Sequence, residues 1–480
     1  MADRHGYISV KPFNVLHDDT PPCPSHPRKR QLPERRQAVP APPTDNNQTR
    51  KNLTITMRKT TLPLLLVLLT GALTASAGTS TFNVRLSNPL STPRTDVPVV
   101  IDLSTLSPSL LQEAGGREAI RSAMVTIGGK EIACQLDDLD GDDIADELAF
   151  VADLGKKEKA TAVVTLTDSG EPRTYEPRTY ASISIRDRNA KSSKHLPITS
   201  VTMPASSNSY QYIFPHGPVL ESELVGFRIY ADHRQSVDYY GHRQRQIELP
   251  VTNFYPTKEQ KAGIYGDDVL YTGSTYGCGT LHGWDGKHSV MFENVKSRTY
   301  TMVASGPVRA IIETVNRGWR PSKDSRPVDI RTRFILYAGH RDVCVDVRFS
   351  RPVPDLMLST GVTDIVGSEE LTDKSGLRGC WGTAMAGNNP EVYDVHTVGL
   401  GVCVPKDNYR GDSYFTDGKP SLPNQAYVAL VQTETDSLRY WFTVTCDMET
   451  FGFADSKAWF SHLKDWKQTI ERPVEVKIER

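Results

Sequence analysis

The sequence predicts an all-β protein: an N-terminal β-sandwich followed by a larger domain built from two packed sheets. Three observations carry that prediction. Runs of alternating apolar and polar residues recur from about residue 80 onward, and 34 Gly and 32 Pro punctuate the 480 residues. No long stretch of helical period appears outside one short segment. The composition, 38% hydrophobic and 24% charged with a formal net charge of -1, is globular and leaves room for two or three domains.

The chain opens outside that pattern. Residues 1–56 hold nine Lys and Arg, five Asp and Glu, and nine Pro, too little apolar surface to fold, and read as an upstream extension. Met57-Arg58-Lys59 then precedes the apolar run 62–69 and the small triplet Ala75-Ser76-Ala77. That order is a secretory signal peptide spanning 57–77, and the run is too short to cross a membrane. No Cys follows it in the position of a lipid anchor, so a periplasmic or secreted protein without a stable membrane anchor is expected. From Gly78 onward 45 Lys and Arg face 52 Asp and Glu, which argues against a nucleic-acid partner. Cys134, Cys278, Cys344, Cys380, Cys403 and Cys446 are spaced too irregularly for a stapled scaffold or a zinc site and are expected mostly as buried singles.

Strand patterns at 82–86, 97–103, 123–127, 132–136, 147–151 and 160–166 make up a sandwich over 78–170. The helical segment, 107–114, has Ser107 as N-cap and Gly115-Gly116 as its stop. Between two of the strands, Asp138, Asp140, Asp142 and Asp146 fall at relative positions 1, 3, 5 and 9. Alternating Asp on a tight loop supplies the oxygens that Ca²⁺ prefers, so a structural Ca²⁺ is the expected cofactor. The other reading is an acidic Asp-Gly turn, and Ala149 at position 12 excludes an EF-hand. Residues 168–182 read as a linker, and 183–480 as the larger domain. Its strand candidates include 225–230, 308–315, 330–337 and 343–349. Arg331 and Arg333 share one face there while Thr332 and Phe334 take the other, as in any half-solvated sheet or in a polar concave face.

The densest titratable run, residues 230–243, follows a strand directly, where binding groups are commonly mounted. Asp232, Arg234, Asp238, Tyr240 and His242 are its candidate catalytic residues. Elimination beside a uronic acid needs a cation for the carboxylate, a base for the C5 proton and an acid for the leaving oxygen. Arg234 or Arg243 can supply the first; His242, His233, Tyr239 or Tyr240 the others. Hydrolysis instead needs two carboxylates, for which Asp232 and Asp238 are the local pair. His233, Tyr239 and Arg243 also join the candidate substrate contacts, with Tyr265, Asp267, His282 and Trp284 from the Gly- and aromatic-rich run 265–286. Trp284-Asp285-Gly286 is equally a hairpin turn in which the Trp caps a core. His340, His396 and His462 are isolated and read as structural or surface residues. No Gly-rich strand-to-helix turn is present, so no nucleotide cofactor is expected.

Several motifs occur together in order: the Asp-rich hairpin with Asp146-Glu147-Leu148-Ala149-Phe150, the run 221–230, Asp232-x-Arg234, Val237-Asp238-x-Tyr240-Gly241, and Gly266-Asp267-Asp268-Val269-Leu270. From Thr81 onward the chain thereby resembles the bacterial family called domain of unknown function 4861. The resemblance implies exported Bacteroidota sugar-processing proteins, a galactose-mutarotase-type supersandwich, and metabolism of pectin or other uronate glycans. One departure is His242, where the resemblance implies Lys after the Tyr-Gly pair. The function expected is a lyase on an oligosaccharide or polysaccharide containing uronate. A glycan-binding protein, an epimerase or mutarotase, and a glycoside hydrolase are the alternatives.

Overall fold

A computed structural model describes residues 78–187, 194–387, 389–416 and 425–479; the extension and the signal-like segment lie outside them. The first module is a sandwich of two sheets. One has five strands in the order Glu475–Glu479, Thr79–Ser87, Lys159–Thr167, Ser122–Ile127, Lys130–Ile132; the other has three, Arg94–Asp102, Glu147–Leu154, Cys134–Asp137. Alternation does the sorting, since Phe82, Val84 and Leu86 turn inward and meet Val99, Ile101, Leu148 and Phe150. Helix Pro108–Glu113 forms where its sequence signals place it, with the Ser107 hydroxyl accepting the Leu110 N–H.

The module boundary differs from the sequence expectation at both ends. Thr179–Asp187 is a strand of the larger domain that begins inside the segment read as linker, just past Pro177. Glu475–Glu479 returns from the far end of the chain and pairs antiparallel with Thr79–Ser87, from Asn83 opposite Glu479 to Ser87 opposite Glu475.

In the larger domain a nine-stranded sheet runs in the order Ser200–Pro204, Ser297–Ser305, Arg309–Trp319, Val328–Tyr337, Asp342–Phe349, Ser437–Cys446, His396–Cys403, Leu377–Ala384, Val366–Thr372. It faces a six-stranded sheet, Asp267–Asp268, Val237–Gly241, Val225–Ile229, Ile213–Ser222, Thr179–Asp187, Lys194–Ile198. Beside the latter is a five-stranded sheet, Ser289–Val290, His282–Trp284, Leu358–Thr363, Gln425–Val431, Tyr409–Thr416, with a bridge between Val237 and Gly277. One core joins all three: Phe227 and Tyr239, Ile312 and Phe334, Tyr440 and Phe442, Val362 and Ala429 are all buried in it. The fold is therefore all-β, a sandwich followed by a supersandwich in which the nine-stranded sheet packs against the bridged six- and five-stranded sheets.

The expectation of a single helical segment misses helix Ser456–Glu471. Its Trp459, Leu463 and Trp466 recur at i, i+4 and i+7 and pack on the nine-stranded sheet. Gly379, Gly399 and Gly401 make that possible, because a β-carbon on any of them would fall 2.5–2.8 Å from Leu463 or Trp459. The sandwich is clamped to the larger domain by Arg309, whose guanidinium reaches Asp137 and Glu147 at 2.7 Å each. The six cysteines among the described residues are unpaired and five of them are buried.

Candidate functional site

On the six-stranded sheet the strands Val225–Ile229 and Val237–Gly241 pair so that Arg228 stands opposite Asp238. Period-two alternation sends Phe227 and Tyr239 into the inter-sheet core and turns Arg228, Asp238 and Tyr240 to the outer face. Tyr240 stands opposite Asp268 of the edge strand. The chain from 246 to 264 folds over this face. Leu249 and Phe254 cluster there with Val219 and Tyr240, and Leu249 approaches where Gly226 carries no side chain. The Thr257–Gln260 capping box starts the short helix Lys258–Ala262. Gly266 then passes so close to the Gly241 carbonyl that a β-carbon would overlap it.

Arg228 is the centre of the buried polar cluster under this segment. Its guanidinium donates to Asp238, to the Tyr230 hydroxyl at 2.8 Å, to the Tyr255 hydroxyl at 2.5 Å and to Asp268 at 3.3 Å. Tyr230 in turn donates to Asp238 at 2.9 Å. Burial pushes the Asp238 carboxyl up against the pull of Arg228. It pushes Asp268 well up, and the neighbouring Asp238 charge adds to that shift. Asp268 Oδ1 and Arg228 Nε are buried and face no partner among the described residues. At the rim Tyr255 is 45% exposed, Tyr210 stacks on His216 at 4.1 Å and on Tyr230 at 5.6 Å, and Arg234 lies over the Tyr230 ring.

The residues named from sequence divide into three groups. Asp238 and Tyr240 share the outer face. Asp232 and Arg234 lie beside it at the rim, bonded to each other, with Arg234 also donating to the Gly273 carbonyl at 3.0 Å. His242 follows on the same face, its Nε2 3.0 Å from Glu221, and all three side chains, Asp238, Tyr240 and His242, are fully buried beneath the covering segment. Burial alone would lower its pKa, and the Glu221 carboxylate holds it above the usual value. Tyr240 donates to Glu248, which also accepts the Gly266 N–H, so this group anchors the covering segment.

The second group is separate. Tyr239 faces the opposite side and donates to Glu449, a correction that its neighbour Tyr240 makes inevitable on a pleated strand. His282 is fully buried between Ser289 and the Arg234 carbonyl, and burial lowers it to about 4, which leaves a neutral ring with a fixed tautomer. Trp284 caps a small core with Tyr276 and Phe415. The third group is peripheral. His233 is half-exposed, 3.7 Å from Glu293, while Arg243 and Tyr265 are half-buried beside the site. Asp267 bonds Lys261 at 2.8 Å and lies 3.9 Å from His396. His396 is thus not isolated: burial opposes its charge, but Asp267 and Asp447 carry it to about 9.

Arg228, Tyr255, Tyr210 and His216 were absent from the sequence-derived site, and Tyr230 and Asp268 fell within its two runs without being named as candidates. An Arg in an otherwise apolar strand was the one available signal. In the Asp-rich hairpin, carboxylate oxygens of Asp138, Asp140 and Asp146 lie within 4.8 Å of one another. Asp142 is not one of that group; its carboxylate accepts the Ile144 N–H.

The fold and this cluster define an all-β, two-module protein with a buried acid pair under an aromatic rim. The chain belongs to the family described as "Domain of unknown function (DUF4861)", whose model matches residues 86–476. Among solved structures it is similar to a protein in the glycosyl hydrolase family 38 from Enterococcus faecalis, at 12% identity and a TM-score of 0.40, with 83% of this chain and 47% of that one covered. It is also similar to an alpha-mannosidase from Enterococcus faecalis V583, at 11% identity and 0.40, covering 83% and 46%. The chain thus spans less than half the length of either. No curated protein matches it. Among the described residues no helix is long and apolar enough to cross a membrane.

Proposed function

We propose that this chain is an exported, periplasmic or secreted carbohydrate-active enzyme in which Asp268 and Asp238 move protons at a sugar admitted past Tyr210 and Tyr255 to the Arg228 cluster. The observation that carries the reading is the unpartnered Asp268 Oδ1, buried beside a second carboxylate and a shared guanidinium. Two environments that push one acid further up than its neighbour are what general acid–base chemistry needs. Asp268, the more strongly raised, is the proton donor; Asp238, held by Arg228 and Tyr230, is the partner base. Tyr faces offer apolar contact to sugar C–H surfaces.

Glycosidic hydrolysis fits this pair better than elimination. A lyase acting on pectin or another uronate glycan needs a guanidinium free for the substrate carboxylate, and Arg228 and Arg234 are each already held by Asp. Arg243, whose Nε has no partner among the described residues, keeps elimination as the second reading. A Ca²⁺ on Asp138, Asp140 and Asp146 belongs to the same proposal as a structural ion of the first module.

The test incubates the protein with neutral and uronate oligosaccharides, following new reducing ends for hydrolysis and unsaturated-product absorbance for elimination. Asp268→Asn is expected to slow turnover by at least about a hundredfold with affinity retained. Unchanged turnover in that variant sinks the assignment, and binding without turnover on every substrate makes the protein a glycan-binding module instead.

A further inference from the structure

The other outer face of the supersandwich, on the nine-stranded sheet, carries an ordered row of charge. Glu313, Arg333, Asp346 and Arg439 stand in register across four adjacent strands. Glu313 bonds Arg333 at 2.7 Å and lies 3.7 Å from Arg331; Asp346 bonds Arg439 and lies 3.3 Å from Arg348. Each carboxylate therefore serves two guanidiniums. The acids also lie low. Side chains of Glu313 and Asp346 are 12% and 14% exposed, whereas those of Arg331, Arg348 and Arg439 are 48%, 59% and 54% exposed. Solvent meets guanidinium along this row although the chain beyond Gly78 is acidic overall.

Arg331 and Arg348 also stand directly opposite each other on neighbouring strands. Like charges in that position oppose pairing, and the flanking Glu313 and Asp346 meet them only at 3.7 and 3.3 Å, which leaves the exposed sides of both guanidiniums open to a further oxyanion. A hollow borders each arginine of this pair. One, of about 950 Å³, lies under the N-terminal sandwich and is lined by Arg331, Glu313, Tyr175 and Thr301. The other, of about 530 Å³, is lined by Arg348, Asp346, Arg439 and Arg410. Strands are about 4.8 Å apart, so the two form neighbouring parts of one face. Asp138 and Asp140 in the first hollow, and Asp407 and Glu434 in the second, flank the pair, and at the middle the Arg331 and Arg348 guanidiniums stand more exposed than the Glu313 and Asp346 carboxylates beneath them.

We propose that this face is a second binding site, separate from the Arg228 cluster, and that it takes an anionic glycan chain whose carboxylate or sulfate group is clamped between Arg331 and Arg348. Planar guanidiniums bind such oxyanions through paired charge-assisted hydrogen bonds, and the flanking hollows accommodate sugar units on either side. Nothing in this proposal requires turnover at Asp268.

The test titrates the full chain with three oligosaccharides of equal length by calorimetry: oligogalacturonate, a sulfated glycan and a neutral glucan. The first two arms separate carboxylate from sulfate as the preferred group. The Arg331→Ala/Arg348→Ala double variant is expected to lose about tenfold or more in affinity for the preferred anion, the equivalent of one charge-assisted contact after solvent screening. It keeps its melting temperature, since both side chains are about half exposed. An Arg85→Ala/Arg472→Ala control removes the same net charge outside the nine-stranded sheet and is expected to bind as the parent does. Equal binding by the double variant and its parent overturns the proposal, as do equal losses in both double variants, neutral glucan bound as well as the anions, or a change confined to dimerisation in sedimentation. Failure of the hydrolase reading shows separately, as lost or absent turnover with this binding intact.

Discussion

Burial, and the neighbouring Asp238 charge, push the Asp268 carboxyl well above the usual carboxylate range. The stability this contributes is fully present below the ordinary carboxylate range and is lost as pH rises through the raised folded value. His396 contributes in the same direction over a different window: fully below its ordinary 6.5, and lost as pH rises through about 9. Asp268→Asn is therefore expected to flatten the lower part of the curve of urea stability against pH, and His396→Gln the part between 6.5 and about 9. A parent-like slope in either variant refutes that residue's assignment. At this scale the sequence was partly legible. Alternation alone separates Tyr239 from Tyr240 and places Asp238 with Tyr240, so the strand's faces were readable from residues 237–241. The role of Arg228 was not, because what buries it is Phe254 and Tyr255, some twenty-five residues on.

Among elements, strands with clean alternation were readable and pieces held by distant contacts were not. The strand Val328–Tyr337 buries alternate residues, with Arg331 and Arg333 on the other face, as its sequence dictates. Helix Ser456–Glu471 shows its period at Trp459, Leu463 and Trp466, but the groove of glycines that receives it is spread over residues 379–401. The Asp-rich hairpin was legible as a loop. Three of its four named carboxylates converge, while Asp142 is spent on the local turn. A bound Ca²⁺ stabilises the folded state by mass action, so the melting temperature is expected to rise with Ca²⁺ and fall with chelator. Asp138→Asn should abolish the difference; identical melting in Ca²⁺ and chelator rejects the ion.

For the whole molecule, the two modules and their order were readable, and the closure between them was not. Residues 475–479 alternate and announce a strand, yet nothing local names Thr79–Ser87 as its partner. Removing residues 475–480 is expected to raise amide hydrogen exchange at Val84 and Leu86 while leaving Phe334 and Val345 protected. Uniform loss of protection in both modules would instead show that they unfold together.

The same closure sets a schedule for the newborn polypeptide. Arg85 contacts Glu479, 394 positions later in the chain, so a ribosome adds that whole stretch before the outer edge of strand Thr79–Ser87 is covered. Until then its backbone donors and acceptors stay open to neighbours. A helper that shields nascent segments is most needed there, and delayed arrival of Glu475–Glu479 should show up as clumping rather than as slow turnover.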